Sequence, residues 1–109
     1  MNETSETNIS KLLKMYPNRI PIILIPSVSF NNKFKLKKYK YLVLSDTNLS
    51  YFLYQLRKIN NVELKSESLY VYINNILLNP NESFASIKTR FAPYEQTLTL
   101  LVDTSSSFG

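Results

Sequence analysis

Cysteine and histidine are absent from this chain. Their absence excludes disulfide staples, thiolate or imidazole metal sites, thiol nucleophiles and the usual general base near neutral pH. The chain also has no thiol of its own on which to hold a thioester. Glycine occurs once, at position 109, so glycine-rich phosphate or nucleotide loops are excluded as well. No long apolar run is present. The longest, Ile20 to Ile25, falls far short of the ~20 residues that cross a bilayer as a helix. The first ten residues, MNETSETNIS, are polar and partly acidic, unlike a secretory signal. The sequons at Asn2, Asn8, Asn48 and Asn81 then read as by-products of an Asn- and Ser-rich composition, and a cytoplasmic location is expected.

What is present fits one folded domain. The 109 residues are 44% hydrophobic, enough for a modest single core. A net charge of +5 points to acidic peptide segments, anionic lipid or nucleic acid as partners, or to solubility alone. Five of the basic residues are lysines between Lys33 and Lys40. As a bare charge run they read as a solvated hairpin, and lysine on an outer strand guards against unwanted pairing.

The clearest helix spans Asp46 to Asn60. Leu49, Phe52, Leu53 and Leu56 stand at i, i+3, i+4 and i+7, one apolar face. Asn48 is placed to cap it, and Arg57 and Lys58 close the last turn where the helix dipole favours cations. Everything around it reads as strand, so it is the helix a sheet must cover.

In chain order, residues 5–16 predict a short amphipathic helix on Ile9, Leu12, Leu13 and Tyr16, stopped by Pro17. Arg19 to Pro26, RIPIILIP, reads as a strand buried on both faces, with Pro21 tolerated if its missing N–H falls outside the ladder. Ser27 to Lys37 is a polar hairpin connection with Asn31 and Asn32 at its tip, and Lys38 to Leu44 the second strand. After the helix come a polar loop from Asn60 to Glu67, a strand from Leu69 to Ile73 and an Asn74-Asn75 turn. A short strand from Ile76 to Leu78, a short helix over Ser83 to Phe91 and a last strand from Thr97 to Val102 complete the core. Residues 103–109, DTSSSFG, carry no core pattern and predict a mobile end. A hairpin, one crossing helix and a returning pair give an α+β class, the ubiquitin-like β-grasp. Its mixed sheet wraps one central helix, with one short N-terminal helix added and the first and last strands parallel at the centre. The expected divisions are a helical extension over 1–17, the β-grasp domain over 18–103 and a flexible tail over 104–109.

Within that order, Tyr16-Pro17-Asn18-Arg19-Ile20-Pro21-Ile22-Ile23 resembles the F/Y-P-N/D-R/K-I-P-V-I stretch of the autophagy-related protein 8 family. These are the ubiquitin-like modifiers that include GABARAP and the light-chain-3 proteins. Lys40-Tyr41-Leu42-Val43, Asp46, Phe52 and Arg57-Lys58 match its K-Y/F-L-V…D…F…R-K pattern. Tyr70 to Asn74 and the terminal Phe108-Gly109 match as well, so the resemblance runs from about residue 8 to the end.

The resemblance implies conjugation rather than catalysis, with no cofactor. Gly109, preceded by Phe108, would be activated by an E1-like enzyme, passed by thioester to an E2-like enzyme and joined to phosphatidylethanolamine. A cysteine protease would process the tail or release the lipid. The end at Gly109 is a processed terminus, an engineered mimic of one, or an encoded end. A carboxylate with no Cβ beside it threads a narrow active site. Lipidation would move the protein from the cytoplasm to the autophagosomal membrane.

The resemblance also implies binding of receptor and adaptor peptides with an aromatic-x-x-aliphatic motif, added as a strand to the edge Lys38 to Leu44. The aromatic pocket would use Leu12, Pro21, Ile23 and Leu42 with Lys40 at its rim. The aliphatic pocket would use Tyr41, Val43, Leu44 and Phe52. Arg19, Lys38 and Lys40 would attract acidic residues flanking the motif. The chain departs from the family in starting too late for a further N-terminal helix. It also has Thr97 where an aromatic is usual and Thr47, Gln55 and Ile59 where Leu, Val and Arg are usual. Gln55 makes the aliphatic pocket more polar, and a weaker or altered motif preference is expected.

Two other readings compete. The autophagy-related protein 12 type also ends in aromatic-Gly and joins a protein lysine. The stretch LYVYINN is similar to the first-strand aromatic motif of RNA-binding RRM domains, but the companion glycine-bearing motif is missing and no nucleic-acid partner is expected. An enzyme has no nucleophile–base pair to stand on.

Overall fold

The β-branched run RIPIILIP forms β1 (Arg19–Pro26), the strand on which the sheet is assembled. The computed structural model describes residues 11–33, 35–60 and 68–104. Ahead of β1, residues 11–15 are helical (α1), and the Tyr16 N–H donates to the Leu12 carbonyl just before Pro17. Residues 5–10 of the expected helix lie outside the described residues. The remaining elements are α2 (Val28–Lys33), β2 (Lys40–Leu44), α3 (Leu49–Asn60), β3 (Tyr70–Ile73), β4 (Ile76–Leu77), α4 (Phe84–Phe91) and β5 (Leu98–Asp103).

The five strands make one sheet in the order β2-β1-β5-β3-β4. β1 runs parallel to β5 and antiparallel to β2, and β3 is antiparallel to both β5 and β4. The parallel centre is thus formed by the first and last strands, as the β-grasp order predicts. Pro21 fits it for a simple reason. The Leu24 N–H donates to the Tyr39 carbonyl and the Ser45 N–H to that of Asn18, so even-numbered residues of β1 face β2. Odd-numbered Pro21 turns its nitrogen toward β5, whose pairing begins only at Ile22 opposite Leu98. The missing donor falls outside the ladder.

One face of the sheet carries the core. Ile20, Ile22, Leu24, Tyr41, Val71, Ile73, Leu98, Leu100 and Val102 cluster there with Leu49, Phe52, Leu53 and Leu56 of α3 and with Phe84 and Ile87 of α4. The aromatic rings interlock edge to face, Tyr41 with Phe52 at 5.2 Å and Phe52 with Phe84 at 5.4 Å between centroids, a favoured arrangement. β1 departs from the expectation of burial on both faces. Ile20, Ile22 and Leu24 are buried, whereas Arg19, Pro21 and Ile23 are half-buried and Ile25 is exposed. Its apolar density serves the core on one side only.

α3 and α4 satisfy each other's first turns. Leu49 and Ser50 N–H donate to the carbonyls of Glu82 and Pro80, while Phe84 and Ala85 N–H donate to those of Thr47 and Ser45. The side chain of Asn48 accepts from Tyr51 N–H (3.0 Å) and that of Ser83 from Ser86 N–H (3.2 Å). Unpaired donors at both helix starts therefore find partners without water. Asn74 and Asn75 both take positive φ (51° and 66°), the two-residue turn that suits the strand twist and that Asn tolerates.

Two further expectations are corrected. The connection after β1 is not a purely polar hairpin loop, because it folds into α2. Ser27 Oγ accepts from Phe30 N–H at 3.0 Å and the fully buried Phe30 ring joins the core. Burial of one large aromatic supplies what a short, mostly polar segment lacks by propensity. Asp103 belongs not to a mobile end but to β5. Its buried carboxylate accepts from Ser27 Oγ (2.8 Å) and from Thr104 N–H (2.7 Å), and this pairing offsets the cost of burying a charge. Residues 105–109 lie outside the described residues.

Candidate cleft between the edge strand and the central helix

β2 is an outer strand. Its odd-numbered residues bond to β1, so the backbone N–H and C=O groups of Lys40 and Leu42 point away from the sheet, while the Leu44 carbonyl accepts from the Thr47 N–H at 3.0 Å. Beside this edge, between β2 and α3, lies a cleft of ≈ 270 Å³. Tyr41, Val43 and Leu44 form its strand wall, Phe52 its floor, and Tyr51, Gln55 and Ile59 its helix wall, with Thr47 just ahead of the helix. Phe52 and Tyr41 are buried, so the floor is rigid, while the rim residues Leu44, Tyr51 and Ile59 are exposed.

The wall at Tyr41 is held by a buried amide. Asn60, at the end of α3, is 2% exposed. Its Nδ2 donates to Tyr41 Oη (3.2 Å) and to the Leu56 carbonyl (2.8 Å), and its Oδ1 accepts from Lys37 N–H. Tyr41 Oη in turn donates to the Lys38 carbonyl at 2.8 Å. Burial pushes the Tyr41 phenol above its usual pKa, and the bond from Asn60 pulls partly the other way. The ring stays a neutral wall. Lys38 Nζ stands 5.3 Å from the Tyr41 ring centroid, a cation–π distance. Across the cleft, Arg19 Nη1 donates to the Leu42 carbonyl at 3.2 Å, occupying an acceptor on the free edge.

Of the residues singled out in the sequence, Arg19, Lys38, Tyr41, Leu42, Val43, Leu44, Phe52 and Gln55 come together around this cleft. Pro21, Ile23 and Lys40 lie on the opposite sheet face, where Pro21 pairs with Leu42 and Ile23 with Lys40. One residue upstream in the β1–β5 register, Thr97 stands beside Pro21, at a smaller cavity of ≈ 150 Å³ that it shares with Phe91, Glu95 and Asn74. Leu12, on α1, is exposed. Phe108 and Gly109 lie outside the described residues. Sequence reasoning missed Tyr51 and Asn60. Tyr51 was legible as the residue one turn before Gln55, on the same helical strip. Asn60 left no such signal, since a polar residue closing a helix normally faces water.

The RNA-binding reading finds no support at Tyr72. Tyr72, within the RRM-like stretch, is buried and offers no ring face for base stacking. Among the described residues there is no group of His, Cys, Asp or Glu that could hold a metal ion, and no helix is long and apolar enough to cross a membrane.

Known proteins resemble this chain in sequence and in fold. The family described as "Autophagy protein Atg8 ubiquitin like" matches residues 4–109. Autophagy-related protein 8e of Arabidopsis thaliana is 28% identical over 86 residues, 78% of this chain and 68% of that protein. Autophagy-related protein 8 of Pichia angusta is 27% identical over 108 residues, 98% of this chain and 84% of that protein. The crystal structure of Trypanosoma brucei ATG8 has a TM-score of 0.80 at 26% identity, covering 100% of this chain and 92% of that one. Plasmodium falciparum Atg8, solved with an Atg3 peptide from the same organism, has a TM-score of 0.76 at 20% identity, covering 97% and 92%. That last likeness speaks for the fold alone. The family match runs through nearly the whole sequence and favours protein 8 over the protein 12 type. This chain therefore belongs to the autophagy-related protein 8 family, ubiquitin-like proteins of autophagy that act as modifiers and not as enzymes.

Proposed function

We propose that this protein is conjugated through Gly109 to phosphatidylethanolamine and that it recruits receptors and adaptors through aromatic-x-x-aliphatic motifs added as a strand to β2. The observation that carries the second half is the cleft of ≈ 270 Å³ beside an edge whose backbone groups at Lys40 and Leu42 face outward. An added strand gains main-chain hydrogen bonds from such an edge, and alternate side chains gain pockets. One anchor enters the cleft on the helix side. The other lies over Pro21, Ile23, Leu42 and Lys40, with Leu12 beside them. Arg19, Lys38 and Lys40 draw in acidic flanks.

For the first half, an E1-like enzyme activates the Gly109 carboxylate as an adenylate and an E2-like cysteine takes it as a thioester. The lipid amine then displaces that thiolate to form an amide. A cysteine protease reverses the step or prepares the glycine. The chain supplies only the carboxylate and the surfaces those enzymes grip, and it passes from cytoplasm to autophagosomal membrane on lipidation. Reconstitution with phosphatidylethanolamine liposomes tests this. A lipid-sized mass increase that disappears when Gly109 is deleted is expected. Conjugation to a protein lysine with none to lipid would overturn it in favour of protein modification.

A further inference from the structure

The two ends of the sheet differ in what leaves them. At one end β1 stops at Pro26 and β5 at Asp103, and β3 begins with Tyr70 opposite Asp103. β2 begins there too, and α3 closes beside it, where Asn60 Oδ1 accepts from Lys37 N–H. The start of α2 is tied to the same end. Ser27 N–H donates to the Val102 carbonyl and Ser27 Oγ to the Asp103 carboxylate. From Thr104 only residues 105–109 lead on to the Gly109 carboxylate.

Fully stretched, that tail reaches at most ~18 Å. The least dimension of the molecule is 23 Å. With Gly109 joined to a lipid, the chain is too short-tethered to stand on its opposite end, so the end that emits the tail stays at the bilayer.

The surface there suits an anionic bilayer. Beside the tail, Val28 is 80% exposed and Ile25 48%. Lys35, Lys37, Lys38 and Lys58 are exposed around them, Lys38 as the neighbour of Ile25 one step beyond the bond from Leu24 N–H to the Tyr39 carbonyl. The described carboxylates do not oppose these cations. Asp46, Glu82 and Glu95 stand at the other end, next to the starts of α3, α4 and β5, and Asp103 is buried and already engaged. Residues 61–67, outside the described residues, bring Glu63, Lys65 and Glu67 by sequence, which leaves this end basic. Apolar tips among lysines are the chemistry that meets an anionic lipid surface.

We propose that the tail-bearing end of the sheet is a membrane-contact face, with Val28 and Ile25 at the headgroup boundary and the lysines around them on anionic headgroups. The inference rests on lipidation of Gly109 and names the orientation that lipidation imposes, α2 against the bilayer and the starts of α3 and α4 toward solvent. Each lysine at such a surface favours contact about fivefold. A few therefore hold one orientation while the conjugated lipid supplies the anchor.

The absence of cysteine from the chain gives a direct test. The full chain carrying Gly109→Cys is coupled through that thiol to a maleimide-headgroup lipid. The vesicles are phosphatidylcholine alone or phosphatidylcholine with about 30% phosphatidylserine, an anionic lipid. Hydrogen exchange is then followed by mass spectrometry. Residues 25–39 should exchange several-fold more slowly on anionic vesicles than in the thiol-capped soluble chain, with residues 79–96 unchanged. The triple variant Val28→Ser/Lys35→Glu/Lys37→Glu, altered only at exposed side chains, should return to the soluble rate. No slowing, equal slowing on neutral vesicles, slowing at 79–96 instead, or slowing that survives the triple variant would each overturn the inference. Because the coupling is chemical, these outcomes are separate from enzymatic lipidation. That reading falls, and takes the tether with it, if the liposome reconstitution yields no lipid adduct.

Discussion

Replacing Asn60 by alanine is the sharpest test of how this fold holds its edge strand. Three bonds disappear with the amide, but they do not count equally. The Leu56 carbonyl keeps its place in the helix ladder of α3. Tyr41 loses an incoming donor and keeps its own bond to Lys38, a loss of about 1 kcal/mol. The Lys37 N–H loses its acceptor, at about 1–3 kcal/mol for a donor left unsatisfied. The sum is about 3 kcal/mol, which in a domain of this size lowers the melting temperature by about 12 °C. Urea unfolding followed by circular dichroism measures it. A double-mutant cycle with Tyr41→Phe should return a coupling of about 1 kcal/mol, because both variants break the same bond. Loss of less than about 0.5 kcal/mol, the range of an ordinary surface change, or zero coupling would refute the reasoning. Peptide binding at β2 should weaken in step, since Asn60 also fixes the Tyr41 wall of the cleft.

Two further outcomes follow from the same geometry. Burial raises the Tyr41 phenol, and burial with Asp103 and Tyr70 nearby raises that of Tyr72. The folded state therefore holds these protons more tightly than the unfolded chain. Stability is full below the ordinary tyrosine value of about 10 and is lost as pH rises through the folded values. Urea midpoints taken from pH 8 to 12 should fall only above about 10, and Tyr41→Phe should flatten part of that fall; an unchanged slope would contradict the assignment. Arg19→Ala releases the Leu42 carbonyl on the free edge. A motif peptide with uncharged flanks should then bind a few-fold tighter by titration, whereas weaker binding would mean that the guanidinium assists the added strand.

Much of the fold was legible because its strongest signals are periodic. The Leu49, Phe52, Leu53 and Leu56 face, the Asn48 cap and the bounds of β1 all appear where pattern and capping chemistry place them. α2 was not legible, since among its residues with described side chains only Phe30 is buried and a single buried ring has no period. The same holds for Asp103, which reads as tail chemistry until Ser27, distant in sequence, arrives beside it. At the cleft, the strand wall was visible by resemblance. The role of Tyr51 depends on which strip of α3 faces β2, a tertiary fact that periodicity leaves open by a residue or two.

The central position of β5 has a mechanical consequence. β5 is the last strand, and it is flanked by β1 running parallel and β3 running antiparallel. Tension applied to the chain beyond Thr104 and resisted at β1 would draw β5 lengthwise between two ladders. The bonds of both ladders would carry the load together in shear, instead of parting one pair at a time as they would if an outer strand were peeled away. Resistance to such a pull is set by the rate of that concerted rupture rather than by equilibrium stability. A chain held by its end to a moving surface would thus be strongest along the direction in which it is tethered.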